Sequence, residues 1–329
     1  MNSFGTLVRL TTFGESHGPA MGGVLDGMPP LVHIDVEEIR RQLARRRPGD
    51  KPYVSRRKEA DEPEILSGLT PEGLTLGTPI GFIVRNTDAR SKDYSDYEGR
   101  FRPNHADYTY YKKYGVHDFK GGGRASARET VSWVLGGSIA RQWLSTLGIS
   151  IEANFIETGS VTDAAAAGDS VGGIVSCIVK GMPAGIGEPV FDKLHARLAA
   201  AMMTINAAKA FEYGDGFKSA YMKGSESIDR FNSPLLSPDT ICADNHSGGI
   251  QGGISNGMPV TFKVHFKPAP TIMRPLATID VTGQECVIPP KGRHDPCVAI
   301  RAVPVVEAMA ALVLADLIRI NASLRFGHE

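Results

Sequence analysis

One order of elements runs through this chain twice, and that order limits the available folds more than any single motif does. The apolar run GGVLD (22–26) is followed by Gly27-Met28-Pro29-Pro30, and SCIVK (176–180) by Gly181-Met182-Pro183-Ala184. A helical pattern follows each. In the first, Asp35 is placed to cap the helix, Glu38 stands three residues on, Ile39 and Leu43 share a face, and Pro48 stops it. In the second, Phe191, Leu194, Leu198 and Met202 recur at helical spacing. LGTPIGFIVRN (76–86) and NGMPVTFKVHFKP (256–268) then each read as a Gly-x-Pro turn entering an alternating strand. Last come two long helices. Val131, Leu135, Ile139 and Trp143 stripe the segment 121–148, and Val305, Met309, Leu312 and Val313 stripe 300–321. A three-residue match is cheap, but four elements in one order are not. We expect an internal duplication, about 1–150 and 151–329, fused into one compact catalytic domain because no Pro-, Ser- or charge-rich linker separates the halves. Strand pairs alternating with helices predict an α+β class rather than a doubly wound parallel sheet. Segment 162–173 reads as a surface loop.

Composition excludes several classes. Lys+Arg and Asp+Glu both number 36 in 329 residues, and a neutral chain lacks the excess positive charge of a nucleic-acid coat or a membrane-surface protein. No apolar run approaches the ~18 residues of a membrane span, and the first residues lack a signal-peptide layout. Cys177, Cys242, Cys286 and Cys297 are scattered, as in reduced cytosolic proteins. The expected location is the cytoplasm.

Neutrality overall hides a basic patch. Arg40, Arg41, Arg45, Arg46, Arg47, Lys51, Arg56, Arg57 and Lys58 fall within 40–58, with Asp50 the only acid inside. Such a density suits a polyanionic small molecule, gripped by the forked donors of arginine; a solvated helix end is an equally good account of the patch alone.

Five other clusters carry chemical groups. TTFGESHGPAMGG (11–23) places Ser16 and His17 between Gly14 and Gly18. Neighbouring Ser and His usually point apart, so a serine hydrolase is a poor reading, whereas a lone His beside glycines suits a general acid. FRPNHADYTYYKKYG (101–115) puts Arg102, His105 and Asp107 on a turn. DFKGGGRASARET (118–130) offers backbone N–H groups as an anion cradle beside Arg124, Ser126 and Arg128. It lacks the sequence of a P-loop or of a dinucleotide fold. NHSGGIQGGISNGMP (245–259), with FKPAPTI (266–272), lets a ligand approach bare backbone. KGRHDPCVAIRAVP (291–304) sets Arg293, His294 and Asp295 on a turn closed by Pro296, where Asp295 can serve as a base or proton relay. The spacing of His and Asp residues does not support a metal site.

Taken in order, these six strings resemble the chorismate synthase family from residue 11 to residue 309. The resemblance implies a β-α-β sandwich, a homotetramer, reduced FMN as cofactor, and 5-enolpyruvylshikimate 3-phosphate as substrate. Phosphate and a ring hydrogen leave from opposite faces to give chorismate. Arg46, Arg102, Arg128 and Arg293 would bind the substrate anions. His17 would protonate the departing phosphate, His105 would stabilise or protonate the reduced flavin, and Asp295 would assist removal of the hydrogen, by way of the flavin. Flavin contacts carry over onto Arg124, Ala125 and Ser126, onto Asn206 and Ala207, onto Gly252, and onto Lys267, Pro268, Ala269, Pro270, Thr271 and Arg293. The sequence departs from the family pattern at Asn104 (usually Gly), at Lys51-Pro52 and at Lys120. Asn tolerates left-handed backbone better than other non-glycine residues, so the turn at 104 should survive. One branch of the family reduces flavin with NADPH; no extra segment for that is apparent, so an external source of reduced flavin is expected.

Overall fold

Alternating burial along the strands and one-sided apolar stripes along the helices can be satisfied together only by layering. The computed structural model describes residues 1–47, 60–87, 97–119, 121–232, 241–290 and 295–324. Arg293 and His294, with Lys51, Arg56, Arg57 and Lys58 of the basic patch, and Lys120, lie outside the described residues, as does Pro48.

The first sheet contains β1 (Ser3–Phe4), β2 (Arg9–Gly14), β3 (Ala20–Asp26), β4 (Pro63–Ile65) and β5 (Ile80–Arg85), in the order β1-β2-β3-β5-β4, with every pairing antiparallel. The second contains β6 (Ser150–Ile156), β7 (Gly173–Lys180) and β8 (Ala208–Tyr213). A two-strand ribbon of β9 (Ile250–Gln251) and β10 (Ile254–Ser255) precedes β11 (Val260–Phe266), and the sheet order is β6-β7-β11-β8, again antiparallel. A second ribbon pairs β12 (Leu276–Ile279) with β13 (Glu285–Ile288). Setting β1 aside, the sheets share one order: β2-β3-β5-β4 in the first half and β6-β7-β11-β8 in the second.

The helices are α1 (Val36–Arg46), α2 (Asp107–Tyr114), α3 (Thr130–Thr146), α4 (Val161–Ala166), α5 (Leu194–Met203) and α6 (Ala299–Leu324). α1, α3, α5 and α6 pack together as a layer against the sheets, whereas α2 and α4 are largely exposed. The two long ones, α3 and α6, pack on each other; α3 also lies on β2, β3 and β5, and α6 on β6 and β7. The fold is therefore an α+β sandwich, sheet–helices–sheet. Its apolar core is continuous across the layers, and all eight stripe residues of α3 and α6 are buried. Gly137 makes the closest helix contact: a Cβ there would meet Ala308 Cα of α6 at 2.5 Å.

Two expectations change. Phe191 is 86% exposed and precedes α5, which starts at Leu194. Residues 162–173 are not simply a loop: Ser160 caps α4 by accepting from Asp163 N at 3.1 Å, and Gly173 begins β7. By contrast, Asp35 caps α1 as expected, accepting from Glu37 N at 2.8 Å.

Candidate active site

The segment GGGRASAR (121–128) is a hub: His17, Arg46, Arg102 and Asn206 reach it from elsewhere, and Arg124, Ala125, Ser126 and Arg128 belong to it. Gly121, Gly122 and Gly123 have φ of +99°, +89° and +50°, and three side chains lie against them. A Cβ on Gly121 would stand 2.2 Å from His17 Cε1, one on Gly122 3.6 Å from Arg102 Nη2, and one on Gly123 2.6 Å from Glu15 Oε2. The left-handed turn and the close approaches both require glycine here. The Glu15 carboxylate also accepts from the Arg124 backbone N–H, so the cradle read from the sequence already holds this chain's own anion. Burial, partly offset by Arg124, keeps the Glu15 carboxyl above its ordinary range.

His17 is oriented by its neighbour. Ser16 Oγ lies 3.1 Å from His17 Nδ1 and within 3.5 Å of the Gly121 carbonyl. The expectation that Ser16 and His17 point apart is therefore wrong. The tight turn folds them together, Gly18 N donating to Glu15 O at 3.0 Å. Ser16 is buried, its hydroxyl held between the His17 ring and the Gly121 carbonyl.

Arg46 and Arg128 form the second cluster, both buried. Arg46 donates from Nε to Thr130 Oγ1 (2.9 Å), from Nη1 to Asp61 Oδ2 (3.2 Å) and from Nη2 to Ala127 O (3.0 Å). Arg128 donates to Asp61 Oδ1 and, from Nε, to Asn86 Oδ1 at 2.9 Å. Burial pushes the Arg46 guanidinium down to about 9; Asp61 resists that shift, while Arg301 and Arg128 add to it. Arg301 joins this cluster to Asp295, its Nε donating to the Arg46 carbonyl at 3.0 Å and its Nη1 to Asp295 Oδ2 at 2.6 Å.

Arg102 clasps Asp107 with two donors at 2.7 Å, and His117 Nε2 stands 3.1 Å from the same carboxylate. Asn104 has φ +59°, so the turn keeps the left-handed geometry a glycine would give it. His105 Nε2 is 2.5 Å from Thr271 Oγ1, and Lys267 Nζ donates to Asn104 O at 3.0 Å. These contacts tie the 102–105 turn to the 267–271 segment, where Ala269 O accepts from Ser170 Oγ (2.6 Å) and Pro268 and Pro270 complete the bend. Burial, with Lys209 nearby, lowers the Lys267 ammonium.

The second half reaches the hub through Asn206. Its Nδ2 donates to Ala125 O at 3.1 Å, while its Oδ1 is buried without a hydrogen-bond partner among the described residues. Ala207, at φ +69°, accepts from Lys267 N at 2.9 Å. Ser126 Oγ accepts from Arg128 N at 3.3 Å.

Two candidates stand differently from the rest. The Arg124 guanidinium is committed to Glu129 (2.7 Å), Thr12 (2.9 Å) and Asn2 (3.1 Å). Gly252 sits in the β9–β10 turn, whose next residue, Gly253, packs on Lys193 and Glu188. Sequence reasoning missed Asp61, Asn86, Thr130 and Arg301. It also missed an open cleft of about 430 Å³ on the second half, lined by Glu212, Tyr213, Asp215, Phe217, His246 and Ser247, with Asp215 Oδ2 2.6 Å from His246 Nδ1. Among the described residues no group of three His, Cys, Asp or Glu gathers as a metal site, and no helix is long and apolar enough to cross a membrane.

Comparison with known proteins adds a family. The family model described as chorismate synthase matches residues 8–166 and 157–318. The chorismate synthase of Christiangramia forsetii is 50% identical over 347 aligned positions, covering 96% of each chain. That of Cytophaga hutchinsonii is 47% identical, covering 98% of this chain and 99% of its own. A crystal structure of a chorismate synthase superposes with a TM-score of 0.73 at 27% identity, over 97% of this chain and 93% of that one.

Proposed function

The chain belongs to the chorismate synthase family of carbon–oxygen lyases, and we propose that it eliminates phosphate from 5-enolpyruvylshikimate 3-phosphate with reduced FMN bound at the 121–128 hub. The observation that carries this reading is the convergence on that hub of His17, of the Arg46–Arg128 cluster and of the 102–105 turn. A small ring bearing a phosphate and two carboxylates accounts for so many guanidiniums around one glycine turn.

Arg46, Arg102, Arg128 and Arg293 bind the anionic groups of the substrate. His17, its Nδ1 held by Ser16, gives a proton from Nε2 to the departing phosphate oxygen. Asp295, oriented by Arg301, assists removal of the ring hydrogen as a proton relay. Arg301 thereby links Asp295 to the helix end that carries Arg46.

The residues also suit the flavin. Asn206 keeps a buried acceptor without a partner, as an N–H-bearing ring would require. His105 and Thr271 supply a paired ring nitrogen and hydroxyl, and Lys267 a cation. We assign FMN to these residues, to Ala207, Pro268, Ala269 and Pro270, and to the backbone of Arg124, Ala125 and Ser126. Gly252 and Arg293 complete the set carried over from the family. When bound, the reduced flavin lends electron density transiently to the breaking carbon–oxygen bond.

The same reading takes the chain as one catalytic body of two similar halves, which the shared strand order supports. It also assigns a homotetramer, a cytoplasmic location, no nucleic-acid or membrane partner, and reduced flavin from an external source rather than from NADP-linked chemistry of its own. The test is single-turnover phosphate release by His17→Ala against the unaltered protein. Release should slow by roughly 100-fold or more while FMN affinity stays the same. A collapse of flavin binding would remove His17 from its assigned role.

A further inference from the structure

We propose that Asp61 is the positioning residue of the anion site, its single carboxylate holding the guanidiniums of Arg46 and Arg128 side by side to receive the substrate. This inference rests on the reading that those two arginines bind substrate, and it assigns work to a residue that none of the sequence motifs contains.

The Asp61 side chain is 0% exposed, and each oxygen takes a different guanidinium: Oδ2 accepts from Arg46 at 3.2 Å and Oδ1 from Arg128. Its backbone is left-handed, at φ +50°, a bend that a non-glycine residue adopts at some cost. The other restraints on the arginines come from elsewhere. Thr130 and the Ala127 carbonyl fix Arg46, and Asn86 fixes Arg128, so each fork is left with a defined plane.

Charge makes the same point. Three guanidiniums crowd together here, those of Arg46, Arg128 and Arg301, against the carboxylates of Asp61 and Asp295. Without Asp61 two buried cations would face each other; with a further carboxylate the attraction for an anion would be cancelled. One shared carboxylate keeps the pair in place and leaves net positive charge for the substrate. Another buried acid provides a contrast. Asp316, on α6, spends its oxygens on the backbone N–H groups of Thr6, Leu7 and Val8 as well as on Arg197, which is how a carboxylate that only ties chain together behaves.

The experiment uses the full chain with reduced FMN. Asp61→Asn keeps the shape and removes the charge. The expected result is a KM raised roughly 10- to 100-fold with kcat within about threefold, and a matching rise in substrate Kd by calorimetry without turnover. An unchanged KM, or a loss confined to kcat, overturns the proposal. Arg46→Lys and Arg128→Lys distinguish failure of the anion site itself from failure of the role of Asp61. If both leave KM unchanged, the anion-site reading fails and the inference with it; if they raise KM and Asp61→Asn does not, the inference alone fails. Should Asp61→Asn not fold, Asp61→Glu decides. It keeps the charge but displaces the carboxylate by one methylene, so KM should rise several-fold with kcat retained, and a wild-type KM overturns the proposal.

Discussion

At the scale of single residues, the site depends on acids that hold arginines in place. Asp107 is buried, and burial alone would raise its carboxyl; the hydrogen bonds and charge of Arg102 outweigh that and hold it below its ordinary 3.8. A carboxyl depressed in the folded state adds stability above its unfolded value and loses that contribution as pH falls through the folded one. The Arg102 clasp should therefore persist at neutral pH and release only below 3.8. Substrate affinity measured by calorimetry should show no break from this group between about pH 5 and 8, whereas Asp107→Asn should weaken binding across that whole range. A break near neutrality that disappears in Asp107→Asn would contradict the assignment. His17, His105 and the arginines were legible because chemistry-bearing side chains stood beside turn residues. Asp61 was not, because its importance comes from a left-handed bend and from partners 15 and 67 positions away along the chain.

At the scale of elements, periodicity located the long helices and the central strands, since burial on one face leaves a repeat in the sequence. It did not locate β1, β9 or β10, each two residues long, because no repeat fits in two residues. Nor did it reveal α4, where a run of alanines looked like a loop until Ser160 capped it. The α3–α6 contact is the element pair that most constrains the rest. A Cβ on Gly137 would strike the Ala308 backbone, whereas one on Gly136 would meet only the Leu10 side chain at 3.1 Å. Gly137→Ala should therefore destabilise by about 1–3 kcal/mol in urea unfolding, and Gly136→Ala by less. Equal effects would mean that the helices can separate without cost.

At the scale of the whole molecule, one buried carboxylate joins the chain's beginning to its end. Asp316 of α6 accepts from Thr6 N (2.8 Å), Leu7 N (2.7 Å) and Val8 N (2.9 Å), and from Arg197 of α5 at 2.5 Å. Asp316→Ala leaves those three N–H donors without their acceptor and Arg197 with Asp192 alone, so it should cost about 1–3 kcal/mol, read as a lowered midpoint in denaturant with the site chemistry intact below it. The hub is also a property of the whole, since Asn206 and the 267–271 segment come from one half and His17, Arg46 and Arg102 from the other. Sequence order hinted at two halves but not at the turn where they meet. On the proposed reading, this meeting place eliminates phosphate with a reduced flavin. Anaerobic mixing of the protein with 5-enolpyruvylshikimate 3-phosphate and photoreduced FMN should release phosphate together with chorismate absorbance. No release with reduced FMN, or full turnover with oxidised FMN alone, would contradict it.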